Sequence, residues 1–175
     1  MTLLHNATIV TAAKEGIGSV LIDGDTINKV FWKDTDGTAE CCGAFVPFDN
    51  LPSQLNCADV VDLTGKHIIA GGIDAHVHFR EPGLTHKADM ATESLAAVAG
   101  GVTSVMDMPN TSPATTSAEA LKGKLELAKE KSVAKLSFHI GATNSNVEEI
   151  CHLITKGDDE TGITPDDIAG VKVFM

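Results

Sequence analysis

The sequence predicts an α/β fold: a small β segment over residues 1–65, then the first half of a parallel (β/α) barrel over residues 66–175, about four βα units. Three observations carry this expectation. Residues 1–65 hold short β-branched and apolar runs separated by turn residues. After Lys66, strand-like runs alternate with helix-like ones. An apolar run over residues 68–73 also leads through His76-Val77-His78 into Arg80-Glu81-Pro82-Gly83. That is a strand feeding a tight loop, the place where a parallel barrel keeps its chemistry.

Taken in order, residues 3–10, 19–22 and 26–32 read as strands, with Asp23-Gly24-Asp25 as a hairpin-like turn between the last two. Residues 33–57 carry Asp, Gly, Pro, Asn and Ser without clear periodicity and read as a long surface loop or an irregular excursion. Residues 60–63 form another short strand, and Thr64-Gly65-Lys66 turns the chain. The later strands are expected at 68–76, 102–108, 135–140 and 170–174. Helices are expected between them: 89–99, then one capped by Ser117 and running to about Lys131, then one capped by Asn146. In the second, Leu121, Leu125 and Ala128 share a face. Right-handed crossovers place these helices outside a parallel sheet.

Composition narrows the function. With 43% hydrophobic and 21% charged residues, this is an ordinary globular chain. A net charge of −11 argues against nucleic acid as a partner. No apolar run approaches the length of a membrane span. The N-terminus lacks a basic stretch followed by an apolar core, so a secretory signal is not expected. Cys41, Cys42, Cys57 and Cys151 contain no Cys-x-x-Cys pair, which gives little support to a zinc knuckle or a disulfide framework. Reduced thiols and a cytoplasmic location are the expectation.

The chemistry concentrates at strand ends. His76 and His78 stand two apart, so on a strand both imidazoles point to one face and offer themselves to one divalent metal. The competing reading is two polar residues on an exposed strand. Arg80 can grip a carboxylate in bidentate fashion or stay solvated. Asn110, in Met108-Pro109-Asn110-Thr111, caps a loop or presents an amide at the matching end of the next strand. Lys172 lies inside an apolar run. It is either an edge lysine facing water or a desolvated amine able to capture carbon dioxide as a carbamate. His139 reads as a hydrogen-bonded core histidine. Asp74 either orients a ligating histidine or holds a loop. His5, His67, His86 and His152 have no ligand spacing.

Together these residues resemble dihydroorotase, of the metal-dependent amidohydrolase superfamily, in its N-terminal portion. The likeness runs from about Val61 onward. It is densest in DLTGKHIIAGGIDAHVHFREPGLTHKADMATESLAAVAGGVTSVMDMPNT, residues 62–111. The resemblance implies a partial TIM-like barrel preceded by a small β-sandwich segment. It implies His76 and His78 as ligands of the more buried metal, and Arg80 and Asn110 as holders of the substrate carboxylate. A carboxylated Lys172 would bridge two zinc ions in the complete protein. The implied reaction is reversible hydrolysis of L-dihydroorotate to N-carbamoyl-L-aspartate, a step of pyrimidine biosynthesis. The family's catalytic aspartate is expected beyond Met175. The chain is therefore read as a fragment, inactive alone, with no catalytic residue of its own. A small-molecule substrate and further copies of the chain are the expected partners, with neither nucleic acid nor membrane. Two other readings stay open: a cyclic amidase of allantoinase or hydantoinase type, and a non-catalytic dihydroorotase-like scaffold. Arg80 favours dihydroorotase, because allantoin and simple hydantoins lack the carboxylate it would answer.

Overall fold

A computed structural model describes residues 1–56 and 59–173. The chain divides into two compact units, Met1–Ala70 and Gly71–Met175.

The first unit begins with an antiparallel meander of β1 (Thr2–Val10), β2 (Glu15–Asp23) and β3 (Thr26–Trp32). Gly24, at φ 60, takes the left-handed conformation in the turn from β2 to β3. Residues 33–57, expected as loop, instead contain a hairpin of β4 (Thr38–Cys41) and β5 (Ala44–Pro47), a 3-10 turn, and the short helix α1 (Leu51–Leu55). Phe48 and Leu51 are fully buried there, in one cluster with Ala39, Cys41, Leu3, Leu21 and Phe31. The loop expectation failed because four-residue strands are too short to show a period. Cys57 lies outside the described residues. β6 (Asp59–Asp62) and β7 (His67–Ile68) each run parallel to β1 along its other edge. A second cluster, Ala7, Ile9 and Val20, completes this unit's core.

The expected single strand over 68–76 is two strands. β7 belongs to the first sheet, and β8 (Gly72–Val77) opens the second. A side chain at Gly71 would run into Thr103, so close approach of the neighbouring strand fixes glycine there. The second unit continues with α2 (Met90–Ala99), β9 (Val102–Asp107), α3 (Ala118–Lys131), β10 (Lys135–Gly141), α4 (Val147–Lys156) and β11 (Ile168–Lys172). Its four strands are all parallel, in the order β8-β9-β10-β11. Sheet and helices bury Phe79, Met90, Val105, Leu121, Phe138, Ile140, Ile150 and Leu153 between them.

The helix starts follow the sequence. Asp89 accepts from Thr92 N at 2.9 Å, and Ser117 accepts from Ala120 N at 3.3 Å. Asn146 stands at the cap position of α4, but no side-chain capping bond forms. Its amide accepts from Thr143 N and donates to Thr116 O and Gly141 O at 2.7–2.9 Å, joining the loops after β9 and β10. Phe174, expected in the last strand, lies outside the described residues.

Candidate metal and substrate site

β8 delivers the histidine pair. The imidazoles of His76 and His78 lie with ring centroids 5.3 Å apart, as the two-residue strand period requires. Asp74 does not reach either ring. Its Oδ1 accepts from the His76 backbone N at 3.0 Å, so it holds the strand end. His78 Nδ1 donates to Asn110 Oδ1 at 2.8 Å, across the gap from β8 to the loop after β9. An imidazole whose Nδ1 carries the proton keeps the Nε2 lone pair free, the arrangement usual for a metal-bound histidine. Asn110 thus meets His78 directly, a contact with no signature in the local sequence.

Arg80 stands two residues beyond His78, half-buried, with φ 63. A non-glycine residue held left-handed costs on the order of 1 kcal/mol or more, so its neighbours must fix it. Those neighbours are well anchored. Phe79 is 5% exposed in the core, and its N donates to Asp107 Oδ1 at 2.8 Å. Glu81, also 5% exposed, accepts from Met90 N at 3.0 Å at the start of α2. It is also ion-paired with Lys131 of α3.

Asp107 is fully buried at the end of β9 and pairs with Lys124 of α3 at 2.6 Å. Lys124 also donates to Met108 O at 3.2 Å and lies over the Phe138 ring. Burial pushes the Lys124 ammonium below the ordinary lysine range, and Asp107 pulls it back. The sequence reading missed this pair and Glu81. Lys124 falls three residues after Leu121, on the helix's inward side, which is the one signal available.

His139 meets expectation in part. It is half-buried on β10 and hydrogen-bonded to the Asp107 backbone, while its Nδ1 is buried without a hydrogen-bond partner among the described residues. Desolvation lowers its basicity. The Asp107 backbone carbonyl opposes this, while the charges of His76 and Lys172 reinforce it. His139 on β10 therefore feels charge from both β8 and β11. Lys172 is half-buried opposite Gly141 in the β10–β11 register.

Two imidazoles presenting nitrogen lone pairs suit zinc or another borderline divalent ion, so the donor chemistry fits such a cation. The set is partial. Among the described residues no group of three or more His, Cys, Asp or Glu side chains is placed to hold a metal.

Residues 67–172 match the Amidohydrolase family, and the chain belongs to that family. It is 46% identical over 94 residues to the dihydroorotase of Methanosarcina mazei, covering 54% of this chain and 20% of that one. It is 36% identical over 153 residues to the dihydroorotase of Streptococcus pyogenes serotype M3, covering 85% and 30%. The chain thus spans 20–30% of the length of these curated relatives. Among solved structures, the L-hydantoinase (dihydropyrimidinase) from Arthrobacter aurescens superposes with a TM-score of 0.66 at 21% identity, covering 97% of this chain and 32% of that one. The D-hydantoinase from Bacillus sp. AR9 gives 0.63 at 26%, covering 89% and 30%. The α/β class with four successive parallel βα strands is shared with these enzymes.

Proposed function

We propose that this chain forms part of a dihydroorotase, hydrolysing L-dihydroorotate reversibly to N-carbamoyl-L-aspartate. His76 and His78 hold a divalent metal, with zinc the proposed ion and Lys172, as its carbamate, the proposed further ligand. Arg80 and Asn110 receive the substrate carboxylate. Residues 1–65 belong to a small β domain and residues 66–175 to the first half of the barrel. When bound, the cation supplies Lewis-acid polarisation of the amide carbonyl. The protein's own groups orient: Arg80 offers a planar two-point grip, and Asn110 ties the substrate end of the site to His78.

The observation that carries this reading is the His78–Asn110 bond at 2.8 Å, which joins the expected metal ligand to the expected carboxylate holder. The relatives named dihydroorotase support it. The solved relatives named hydantoinase favour a second reading, a cyclic amidase whose substrate lacks a carboxylate. The two separate by substrate. The full-length gene product, reconstituted with zinc, is assayed for ring opening of dihydroorotate and of dihydrouracil. Preference for dihydroorotate that is lost in His76→Ala is expected. Preference for dihydrouracil selects the second reading, and turnover of neither rejects both.

A further inference from the structure

We propose that the buried Asp107–Lys124 pair is a positioning device that aims His78 and Arg80 at the site. Asp107 Oδ2 accepts from Lys124 at 2.6 Å, while its Oδ1 accepts from the Phe79 backbone N at 2.8 Å. Lys124 also holds Met108 O, and Met108 N donates to Val77 O at 3.0 Å. One ion pair from the back of the sheet therefore fixes the chain ends of β8 and β9 together.

The consequence follows from alternation. Phe79 is pinned at its amide and its ring is in the core with Phe138 and Leu121. Successive side chains of extended backbone point to opposite faces. Val77, the last residue of β8, and Phe79 both pack into that core, so His78 between them faces the other way, and Arg80 follows in its left-handed turn. Asn110, two residues after Met108, then meets His78. Among the described contacts, neither the Asp107 carboxylate nor Lys124 bonds to His78, Arg80 or Asn110. They act through Phe79 and Met108, and their charge complementarity satisfies a carboxylate that faces a backbone N–H. Lys124 gives Asp107 a charged partner in a place where the two side chains are 1% and 0% exposed.

This inference rests on His78 and Arg80 being site residues, and its test separates the two claims. Asp107→Asn/Lys124→Met removes both charges but keeps an oxygen facing Phe79 N. Asp107→Leu/Lys124→Met removes the acceptor as well. Three readouts are taken: hydrogen exchange of the Phe79 amide, the ring-nitrogen chemical shifts of His78, and zinc titration followed at the His76 and His78 rings. The leucine variant is expected to speed Phe79 exchange at least ten-fold. It should lose the Nδ1-protonated signature of His78 and weaken zinc binding about 10- to 100-fold, as loss of ligand orientation does. The asparagine variant is expected to restore all three. Equal behaviour of the two variants, or an unchanged His78 signature in the leucine variant, overturns the inference. Should either variant fail to fold, the unaltered protein still decides: its Phe79 amide must be protected, and rapid exchange there overturns the device. If zinc leaves both rings of the unaltered protein undisturbed, the metal reading fails instead, and Phe79 exchange and the His78 signature still judge the device.

Discussion

Lys124→Met tests the energetics of the buried pair. Methionine nearly preserves the volume of the stem, so packing changes little. The ammonium is lost, and among the described residues Asp107 is left with Phe79 N as its side-chain hydrogen-bond donor. Breaking a buried ion pair from one side costs about 3–5 kcal/mol. The carboxylate can escape by taking a proton, which limits the loss. From an unfolded value of about 3.9, protonation near pH 7 costs about 1.36 kcal/mol for each of roughly three units, about 4 kcal/mol in all. Near pH 5 the same limit is about 1.5 kcal/mol. In this variant the folded state binds more protons than the unfolded one, so stability falls as pH rises through that range. The expected loss is therefore about 3–4 kcal/mol near pH 7, shrinking by about 2 kcal/mol near pH 5. Urea unfolding followed by helical circular dichroism reads the second unit, which holds α2, α3 and α4. A loss under about 1 kcal/mol near pH 7, or the same loss at both pH values, would refute the argument that Asp107 depends on Lys124.

Two further outcomes are expected. Arg80→Ala in the full-length protein should cut kcat/KM for dihydroorotate by more than about 30-fold, the effect of losing about 2 kcal/mol of charge-assisted binding. It should change dihydrouracil turnover far less, and equal losses on both substrates would reject the carboxylate role. In the first unit, burial holds the His5 imidazole below its ordinary value of 6.5, with Asp49 and Asp62 opposing. The unfolded state then binds more protons just below pH 6.5, so stability should fall on acidification through that point. Trp32, the sole tryptophan, reports unfolding of this unit, and His5→Gln should flatten the dependence. The Asp36 carboxylate, held low by the Thr38 hydroxyl, acts only in the more acid window below 3.8. An unflattened curve in His5→Gln would assign the effect elsewhere.

What the sequence made legible is what depends on period and on local caps. The strand–helix alternation after Lys66, the Asp89 and Ser117 caps and the shared face of His76 and His78 are set by residues within a few positions of each other. The misses depend on distance. The hairpin and α1 within residues 33–57 are held by Phe48 and Leu51 entering a core built from Leu3, Leu21 and Phe31. No local pattern announces such partners. Asn146 makes no side-chain cap, because its Oδ1 accepts from Thr143 N while its amide nitrogen is held by the Thr116 and Gly141 carbonyls of two loops.

The same distinction explains the site. The sequence offers His78, Arg80 and Asn110 after strand ends, yet strand ends do not by themselves aim side chains. Phe79 reads in the sequence as an apolar spacer between His78 and Arg80. In the fold its ring is locked in the core and its amide is locked on Asp107. A carboxylate on β9 and an amine on α3, neither near a histidine in sequence, decide which way the histidine faces. Charged residues are seldom fully buried unless paired. Where both members of a pair have almost no exposure, their desolvation is offset by their mutual attraction and by the backbone hydrogen bonds each makes, and those bonds fix the turn. That turn, at the end of β8, carries His78 on one side of Phe79 and Arg80 on the other. A loose turn there would leave both residues present and neither one aimed.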